Sequence, residues 1–572
     1  MRTSSWDRTV LITSPLLTLL LAGCGDSPET ETPKGPNIVL VMTDDQGWAQ
    51  VGSHGNESIA TPHLDRLASQ SVEFTRFYVS PVCAPTRASL MTGRYNYRTG
   101  VVDTYVGRAM MHSDESTLAE MLSQAGYRTG IFGKWHLGDN YPMRSIDQGF
   151  EQSLVHKGGG IGQPSDPLGN SYFDPVLQLN GQPRKYEGYC TDIFFDAALE
   201  FIQENRKESF FTYIPTNAPH SPYDVPDSYI QPYLEQGLSD KDARIYGMIT
   251  NIDDNVGRLM KKLEELQLDR NTILIFMTDN GPTTEHFTAG LRGRKTTVFE
   301  GGIRVPFFFH WPGRMEPSQI GDIAAHIDLV PTLLEAAGVE VAADASLDGI
   351  SLLSRMESRE ASLPERTLYI QSHRGNVPQL YRNFAAIGSR YKLLQPLSFS
   401  DKMPPGAEVQ LFDLETDPGE SKDLFAELPE IVERMRQQYE IWFQEVSETR
   451  GYSPPSIAIG TAHENPVILT RQDWQMVGKD GWGDSDLGYW KVSVANAGAY
   501  QIRFRFGPFQ QEGEAELRIQ DLVQVYPIEA NATEVTFESA QLAAGDTRLE
   551  AKLKMGGQIV GVRYVAVTAP RR

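Results

Sequence analysis

The sequence predicts an α/β fold with a large, mostly parallel sheet sandwiched by helices, followed by a smaller α+β subdomain and an all-β sandwich. Three observations lead to this reading. Residues 37–42, Asn-Ile-Val-Leu-Val-Met, and residues 272–277, Thr-Ile-Leu-Ile-Phe-Met, are apolar runs that end abruptly in polar residues. Such runs suit strands buried on both faces of a parallel sheet. Helical periodicity fills the chain between them, and towards the C-terminus the apolar period changes to two.

The elements follow in order. At 572 residues the chain calls for two or three domains, and 40% hydrophobic and 10% aromatic content is that of a folded globular protein. Arg2 and Arg8 precede an apolar run from Val10 to Leu21, too short for a comfortable membrane span and suited to a signal-peptide core. It ends in Leu21-Ala22-Gly23-Cys24, which resembles the lipobox of bacterial lipoproteins. The resemblance implies a signal peptide over 1–23, cleavage before Cys24 and a diacyl anchor on its thiol. Residues 24–36 read as a polar tether.

The large α/β domain spans 37–340. In it Thr117 and Glu120 have capping-box spacing, Leu118, Met121, Leu122 and Ala125 share one face, and Gly126 is the stop. A second helix runs through Ile245, Ile249, Ile252, Val256, Leu259 and Leu263. The subdomain, 341–451, holds strand-like segments near Thr367–Ile370, Phe384–Ile387 and Val409–Phe412, then a helix over roughly Leu428–Val446. Residues 452–466, rich in Pro, Gly, Ser and Ala, read as a linker. Residues 467–572 read as the sandwich, with Tyr500, Ile502, Phe504 and Phe506 alternating with polar residues. Its Trp474, Trp482, Tyr489 and Trp490 are expected in the core or in inter-domain packing, with stacking on sugar rings as the second reading.

A formal charge of -22 argues against a nucleic-acid partner, because phosphate contacts need clustered Lys and Arg. An anion site in such a chain requires cations gathered locally in a cleft. The 3 cysteines are Cys24, Cys83 and Cys190, too few for a disulfide framework in an exported chain of this size. Pairing of Cys83 with Cys190 stays open at this point, but Cys190 reads as a small buried hydrophobe and the surroundings of Cys83 suggest chemistry.

The two apolar strands end in Thr43-Asp44-Asp45 and Thr278-Asp279-Asn280. In open α/β sheets functional groups collect at the carboxyl ends of strands. Asp44, Asp45, Asp279 and Asn280 form an all-oxygen set, which favours calcium or magnesium over zinc.

The most informative segment is Pro81-Val82-Cys83-Ala84-Pro85-Thr86-Arg87-Ala88-Ser89-Leu90-Met91-Thr92-Gly93-Arg94. It resembles the signature of type I sulfatases in the alkaline-phosphatase-like superfamily, Cys-x-Pro-Ser/Thr-Arg followed at fixed spacing by Thr-Gly-Arg. Further matches occur in order: Gly126-Tyr127-Arg128-Thr129-Gly130-Ile131-Phe132-Gly133-Lys134-Trp135-His136, Asn217-Ala218-Pro219-His220, Thr278-Asp279-Asn280-Gly281-Pro282, and Leu291-Arg292-Gly293-Arg294-Lys295. His326-Ile327-Asp328 and Leu411-Phe412-Asp413 resemble recurring segments of the same family, and His326 is given no catalytic role.

The resemblance implies that a dedicated formylglycine-generating enzyme oxidises Cys83 to formylglycine. One hydroxyl of the hydrated aldehyde then attacks sulfur, and the second loses its proton and expels sulfate as the aldehyde re-forms. It implies one calcium ion on Asp44, Asp45, Asp279, Asn280 and the modified Cys83. By the same resemblance Arg87, Lys134 and Lys295 supply positive charge to the sulfate, with Lys134 on the sulfate itself. His136 contacts the diol and takes a proton in the elimination, and His220, with Lys295, protonates the leaving alcohol.

The expected activity is hydrolysis of sulfate esters on a sulfated carbohydrate, by an enzyme lipid-anchored to a membrane and facing the periplasm or cell surface of a Gram-negative-type bacterium. The segment from His156 to Gln163, the loop after Asn280 and Arg292 are candidates for contact with the sugar. Two other readings stay open: a phosphonate or phosphodiester hydrolase of the same superfamily, and a catalytically inactive glycan-binding lipoprotein.

Overall fold

The computed structural model describes residues 35–341, 345–397, 408–478, 481–483 and 485–570. The signal peptide, Cys24 and nearly all of the tether lie outside the described residues.

The strands of the main sheet are β1 (Asn37–Thr43), β2 (Val72–Tyr78), β3 (Arg128–Lys134), β4 (Gln152–His156), β5 (Val176–Leu179), β6 (Gln182–Lys185), β7 (Phe210–Pro215), β8 (Thr272–Thr278), β9 (Arg304–Val305), β10 (Phe307–His310) and β11 (Ser318–Ala325). They form an 11-stranded sheet in the order β11-β2-β10-β8-β1-β7-β3-β4-β5-β6, with β9 paired to β2. The centre, β8-β1-β7-β3-β4, is parallel throughout. Antiparallel pairing enters where β10 wedges between β8 and β2 and where β5 and β6 extend the far edge. The expected parallel sheet is therefore its central part, and the whole is mixed.

The continuous apolar runs are explained by burial on both faces. Ile38, Leu40 and Met42 of β1 join one core layer, and Val39 and Val41 join the other. Strand β8 divides in the same way, with Ile273, Ile275 and Met277 on one face and Leu274 and Phe276 on the opposite one. The Leu118–Gln124 helix carries the capping box between Thr117 and Glu120. The 26-residue helix Asp240–Glu265 presents Ile245, Ile249, Ile252, Val256, Leu259 and Leu263 to the second layer.

The subdomain is a 4-stranded antiparallel sheet of Leu368–Gln371, Phe384–Ile387, Tyr391–Gln395 and Gln410–Asp413, followed by the Pro429–Glu448 helix. The Tyr391–Gln395 strand was not expected from sequence, because Lys392 interrupts its apolar pattern. That lysine is buried and stays charged: its ammonium lies 2.9 Å from Glu300 and 2.8 Å from Glu420. The subdomain is thereby tied to the segment that follows Lys295.

The C-terminal region packs a 7-stranded sheet against a 4-stranded one, with Trp490, Ile502, Phe504, Leu517, Phe537 and Leu549 in one shared core. The segment read as a linker is partly structured: Ile457–Ile459 pairs in parallel with the Gly488–Val494 strand. Its short apolar alternation was masked by the surrounding Pro and Ser. Trp474 and Trp490 are buried in this core, as expected.

Candidate active site

The sheet order determines the site. Strands β8, β1, β7 and β3 are consecutive neighbours and parallel, so their carboxyl ends lie side by side on one edge. Asp279 and Asn280 follow β8, Asp44 and Asp45 follow β1, His220 lies on the loop after β7, and Lys134 and His136 close β3. Backbone bonds clamp adjacent ends together, Asp279 N to Thr43 O at 3.0 Å and Asp44 N to Ala218 O at 3.0 Å. Close approach of β3 and β7 requires Gly133, at φ +142, where a Cβ would lie 1.9 Å from the Pro215 carbonyl.

Cys83 is the first residue of the Cys83–Thr92 helix, and Arg87 lies one turn on along the same face. Every residue of this helix is buried. Arg87 donates to Asp279 Oδ2 at 2.6 and 3.1 Å and to the Lys134 carbonyl at 2.8 Å. Lys134 Nζ reaches Asp44 Oδ2 at 2.5 Å, and Lys295 Nζ reaches Asp45 Oδ1 at 2.5 Å. The Lys295 loop is fixed by Lys295 N to Pro282 O at 2.9 Å and Thr296 N to Pro81 O at 2.8 Å. Cys83 is free, as is Cys190, which sits buried with its thiol 3.5 Å from Asn217 Oδ1, so the two do not pair.

The carboxylates of Asp44, Asp45 and Asp279 thus face Arg87, Lys134 and Lys295, one for one, in a largely buried site. Burial works against the charge on Asp44, but Lys134, His220 and Arg87 prevail and hold its carboxyl well below the ordinary range. Burial and the adjacent Asp44 push Asp279 up to about 7. Burial also raises the Cys83 thiol, against the pull of Lys134 and Lys295. Two carboxylates forced together without water resist being charged at once, and a cation between them removes the conflict.

The residues present fit such a cation. Asp44 Oδ1 and Asn280 Oδ1 are buried and have no hydrogen-bond partner. The Asn280 amide is oriented by its nitrogen, which donates to Asp45 Oδ1 at 2.7 Å and to the Gly281 carbonyl at 2.9 Å. Ligand atoms of Asp44, Cys83 and Asp279 lie within 4.8 Å of one another, as do those of Asp44, Asp45 and His220. Oxygen donors of this kind suit a hard divalent ion.

Two site residues depart from relaxed backbone: Asp45 has φ 71 and His136 φ 61. Left-handed backbone at such residues is costly and collects at functional positions. His136 Nε2 donates to the Thr104 carbonyl at 2.7 Å, since a carbonyl only accepts. Its Nδ1 is therefore the lone-pair nitrogen, and it is buried without a partner. Burial, with Lys134 and Arg87 nearby, keeps this imidazole well below its usual pKa and neutral. His220 Nδ1 donates to the Ser221 carbonyl at 2.7 Å, leaving Nε2 3.9 Å from Asp45 Oδ2. His220 and Lys295 retain 14% and 17% exposure where the others have almost none, so they line the mouth.

Every residue singled out from the sequence, Asp44, Asp45, Cys83, Arg87, Lys134, His136, His220, Asp279, Asn280 and Lys295, lies in this cluster. Arg292 instead donates to the Glu420 carbonyl at 3.0 Å and covers the Phe299 ring. Sequence reasoning missed Thr104 and Gln472. Gln472 belongs to the sandwich, yet its Nε2 donates to the Thr104 carbonyl at 2.9 Å and lies 3.5 Å from His136 Nε2. No local pattern marks either residue.

With the geometry established, comparisons with known proteins place it among relatives. A family model described as Sulfatase matches residues 36–339, and one described as N-sulphoglucosamine sulphohydrolase, C-terminal, matches 293–444. The chain is 32% identical over 394 residues to an N-acetylgalactosamine-6-sulfatase of Sus scrofa, covering 63% of this chain and 72% of the relative. It is 27% identical over 508 residues to an N-acetylgalactosamine-6-O-sulfatase of Bacteroides thetaiotaomicron, covering 74% and 96%. The crystal structure of Ps i-CgsB in complex with k-i-k-neocarrahexaose superposes with a TM-score of 0.64 at 28% identity, covering 73% of this chain and 94% of that one.

Proposed function

The chain belongs to the sulfatase family, hydrolases of sulfate esters, and we propose that it removes sulfate from a sulfated carbohydrate with a formylglycine made from Cys83 and one calcium ion. The observation that carries this reading is the convergence of Arg87, Lys134 and Lys295 on carboxylates around the buried start of the Cys83 helix. The carbohydrate part is supported by the relatives named as N-acetylgalactosamine-6-sulfatase and N-acetylgalactosamine-6-O-sulfatase and by the similar structure in complex with k-i-k-neocarrahexaose.

Formylglycine would supply a nucleophilic hydroxyl for sulfur and a second hydroxyl whose deprotonation restores the aldehyde as sulfate is expelled. Asp44, Asp45, Asp279, Asn280 and the modified Cys83 would hold the calcium ion, which would supply charge favouring the ionised nucleophile. The remaining work falls to the protein. Cations and carboxylates already balance, so a divalent ion leaves net positive charge for an anionic sulfate ester. Lys134, anchored on Asp44, is placed for the sulfate oxygens. Arg87 is held rigid by Asp279 and the Lys134 carbonyl and orients the helix start. His136 accepts a proton at Nδ1, the nitrogen left free by the Thr104 bond. His220 presents Nε2 at the exposed side, where the leaving alcohol departs, with Lys295 beside it.

We further propose that the chain is exported and lipid-anchored through Cys24, with its site facing the periplasm or the cell surface; palmitate labelling lost in Cys24→Ala tests this. The activity is tested by comparing kcat/KM on an aryl sulfate, a 6-sulfated N-acetylhexosamine and an aryl phosphodiester. The reading expects the sulfates to lead; a faster phosphodiester reaction overturns it in favour of a phosphodiesterase.

A further inference from the structure

A cavity of about 230 Å³ opens where the sandwich meets the α/β domain. One wall is the loop through Gln163 and Leu168; the other is Arg471, Trp482, Arg563 and Tyr564 of the sandwich. These four residues lie beyond residue 444, where the family-model matches end.

The cavity adjoins the reaction centre through one side chain. A Cβ at Gly159 would lie 3.0 Å from His136 Nε2 and 3.0 Å from Gln163 Oε1. A Cβ at Gly160 would lie 3.1 Å from Gln163 Nε2 and 3.6 Å from His220 Nδ1. The Gln163 amide, which lines the cavity, therefore lies close to both histidine rings, and the glycines leave room for that approach.

The far wall is built, not loose. Arg471 donates to the carbonyls of Trp482 at 2.6 Å, Val562 at 2.9 Å and Gly561 at 3.0 Å, which pins the Trp482 turn to the sheet. Tyr105 meets the Trp482 indole edge-on at 5.1 Å, and Arg374 covers the other ring of that pair, Tyr105, at 4.1 Å. Tyr564 donates its hydroxyl to the Asp166 carbonyl at 2.5 Å, joining the two walls. Among the described residues the buried Trp482 indole nitrogen has no hydrogen-bond partner. Arg471 and Arg563 bring guanidinium charge to this wall, and the Asp166 carboxyl lines the facing one.

An aromatic face and guanidinium charge beside an amide are the chemistry that recognises an acidic sugar. We propose that this cavity is a subsite for the sugar ring adjoining the sulfated one, a hexose bearing a carboxylate or sulfate, and that the sandwich is thereby part of the substrate cleft. The proposal rests on the glycan sulfatase reading above.

The test compares a 6-sulfated N-acetylhexosamine with the same unit linked to a uronate or to a second sulfated hexose, using the full chain and its Trp482→Ala, Trp482→Phe and Arg563→Gln variants. The ratio of disaccharide to monosaccharide kcat/KM is expected to fall by about tenfold in Trp482→Ala, mostly through KM, and to recover partly in Trp482→Phe. In Arg563→Gln the ratio falls for the anionic disaccharides but not for one with a neutral second ring. A fall with only the uronate, or only the doubly sulfated disaccharide, identifies which anion the subsite takes. Because each ratio is internal to one variant, partial misfolding cancels. An unchanged ratio in both Trp482→Ala and Arg563→Gln overturns the subsite alone. Turnover of an aryl sulfate with neither glycan accepted overturns the glycan reading and the subsite with it.

Discussion

Gln472 and His136 share one acceptor: both donate to the Thr104 carbonyl, at 2.9 and 2.7 Å, and their nitrogens stand 3.5 Å apart. A residue of the C-terminal sandwich thus helps to fix the imidazole on β3. The backbone repeats the tie, Gly107 N donating to the Gln472 carbonyl at 2.8 Å. Removing the side chain loosens the Thr104 carbonyl and with it the choice of His136 tautomer. Gln472→Ala is expected to lower kcat about tenfold or more on any sulfate ester, with KM little changed. Gln472→Glu places a carboxylate beside an imidazole that is otherwise neutral, and should move the acid limb of the kcat–pH profile upward; a purely structural role would leave that profile in place.

Gly159 has no room for a side chain, since a Cβ there would meet His136 Cε1 at 2.9 Å. Gly159→Ala should displace the imidazole and reduce kcat by about a hundredfold, the order expected for a small misplacement of a catalytic group. The melting temperature, measured alongside, should stay within a few degrees.

Lys392 lies between Glu300 and Glu420, and all three side chains are buried. Replacing it strands two buried carboxylates. Lys392→Met is expected to destabilise the protein by about 3–5 kcal/mol, visible in a urea melt. A variant that also carries Glu420→Gln should recover part of the loss.

His326 is buried and its pKa is lowered to about 3 from 6.5, chiefly by burial. Between those values the unfolded chain binds a proton at this residue and the folded one does not. Its contribution to stability is therefore full above about pH 6.5 and falls as pH drops towards 3, by about 1.4 kcal/mol per unit. His326→Gln should flatten the stability–pH curve over that interval.

Among the described residues, oxygens of Asp44 and Asn280 await a partner. Chelation is expected to lower the melting temperature and abolish turnover, and calcium to restore both more fully than magnesium. Asn280→Ala should raise the calcium concentration needed for half-recovery.

The strand ends made the four oxygen ligands legible in sequence, and the resemblance to the sulfatase signatures supplied Cys83, Arg87, Lys134, His136, His220 and Lys295. The apolar runs 37–42 and 272–277 locate the edge on which Asp44, Asp45, Asp279 and Asn280 meet, and the spacing from Cys83 to Arg87 is one helical turn. What sequence left hidden depends on long-range contact. Phe307–His310 is an apolar run like its neighbours, and nothing local says that it runs antiparallel between β8 and β2. Lys392 is buried only because Glu300 and Glu420 converge on it from distant segments. Gln472 reaches His136 across 336 residues, and Trp482 packs at the edge of the sandwich core and lines the cavity while Trp474 and Trp490 are buried within that core.

The central claim is that Cys83 is the precursor of the nucleophile. Mass spectrometry of the Cys83 peptide, from protein made with a formylglycine-generating enzyme, tests it most directly. The account predicts a mass about 18 Da below the cysteine form, as replacement of the thiol by an aldehyde requires, with turnover proportional to the converted fraction. An unmodified thiol in protein that nevertheless hydrolyses sulfate esters would contradict it.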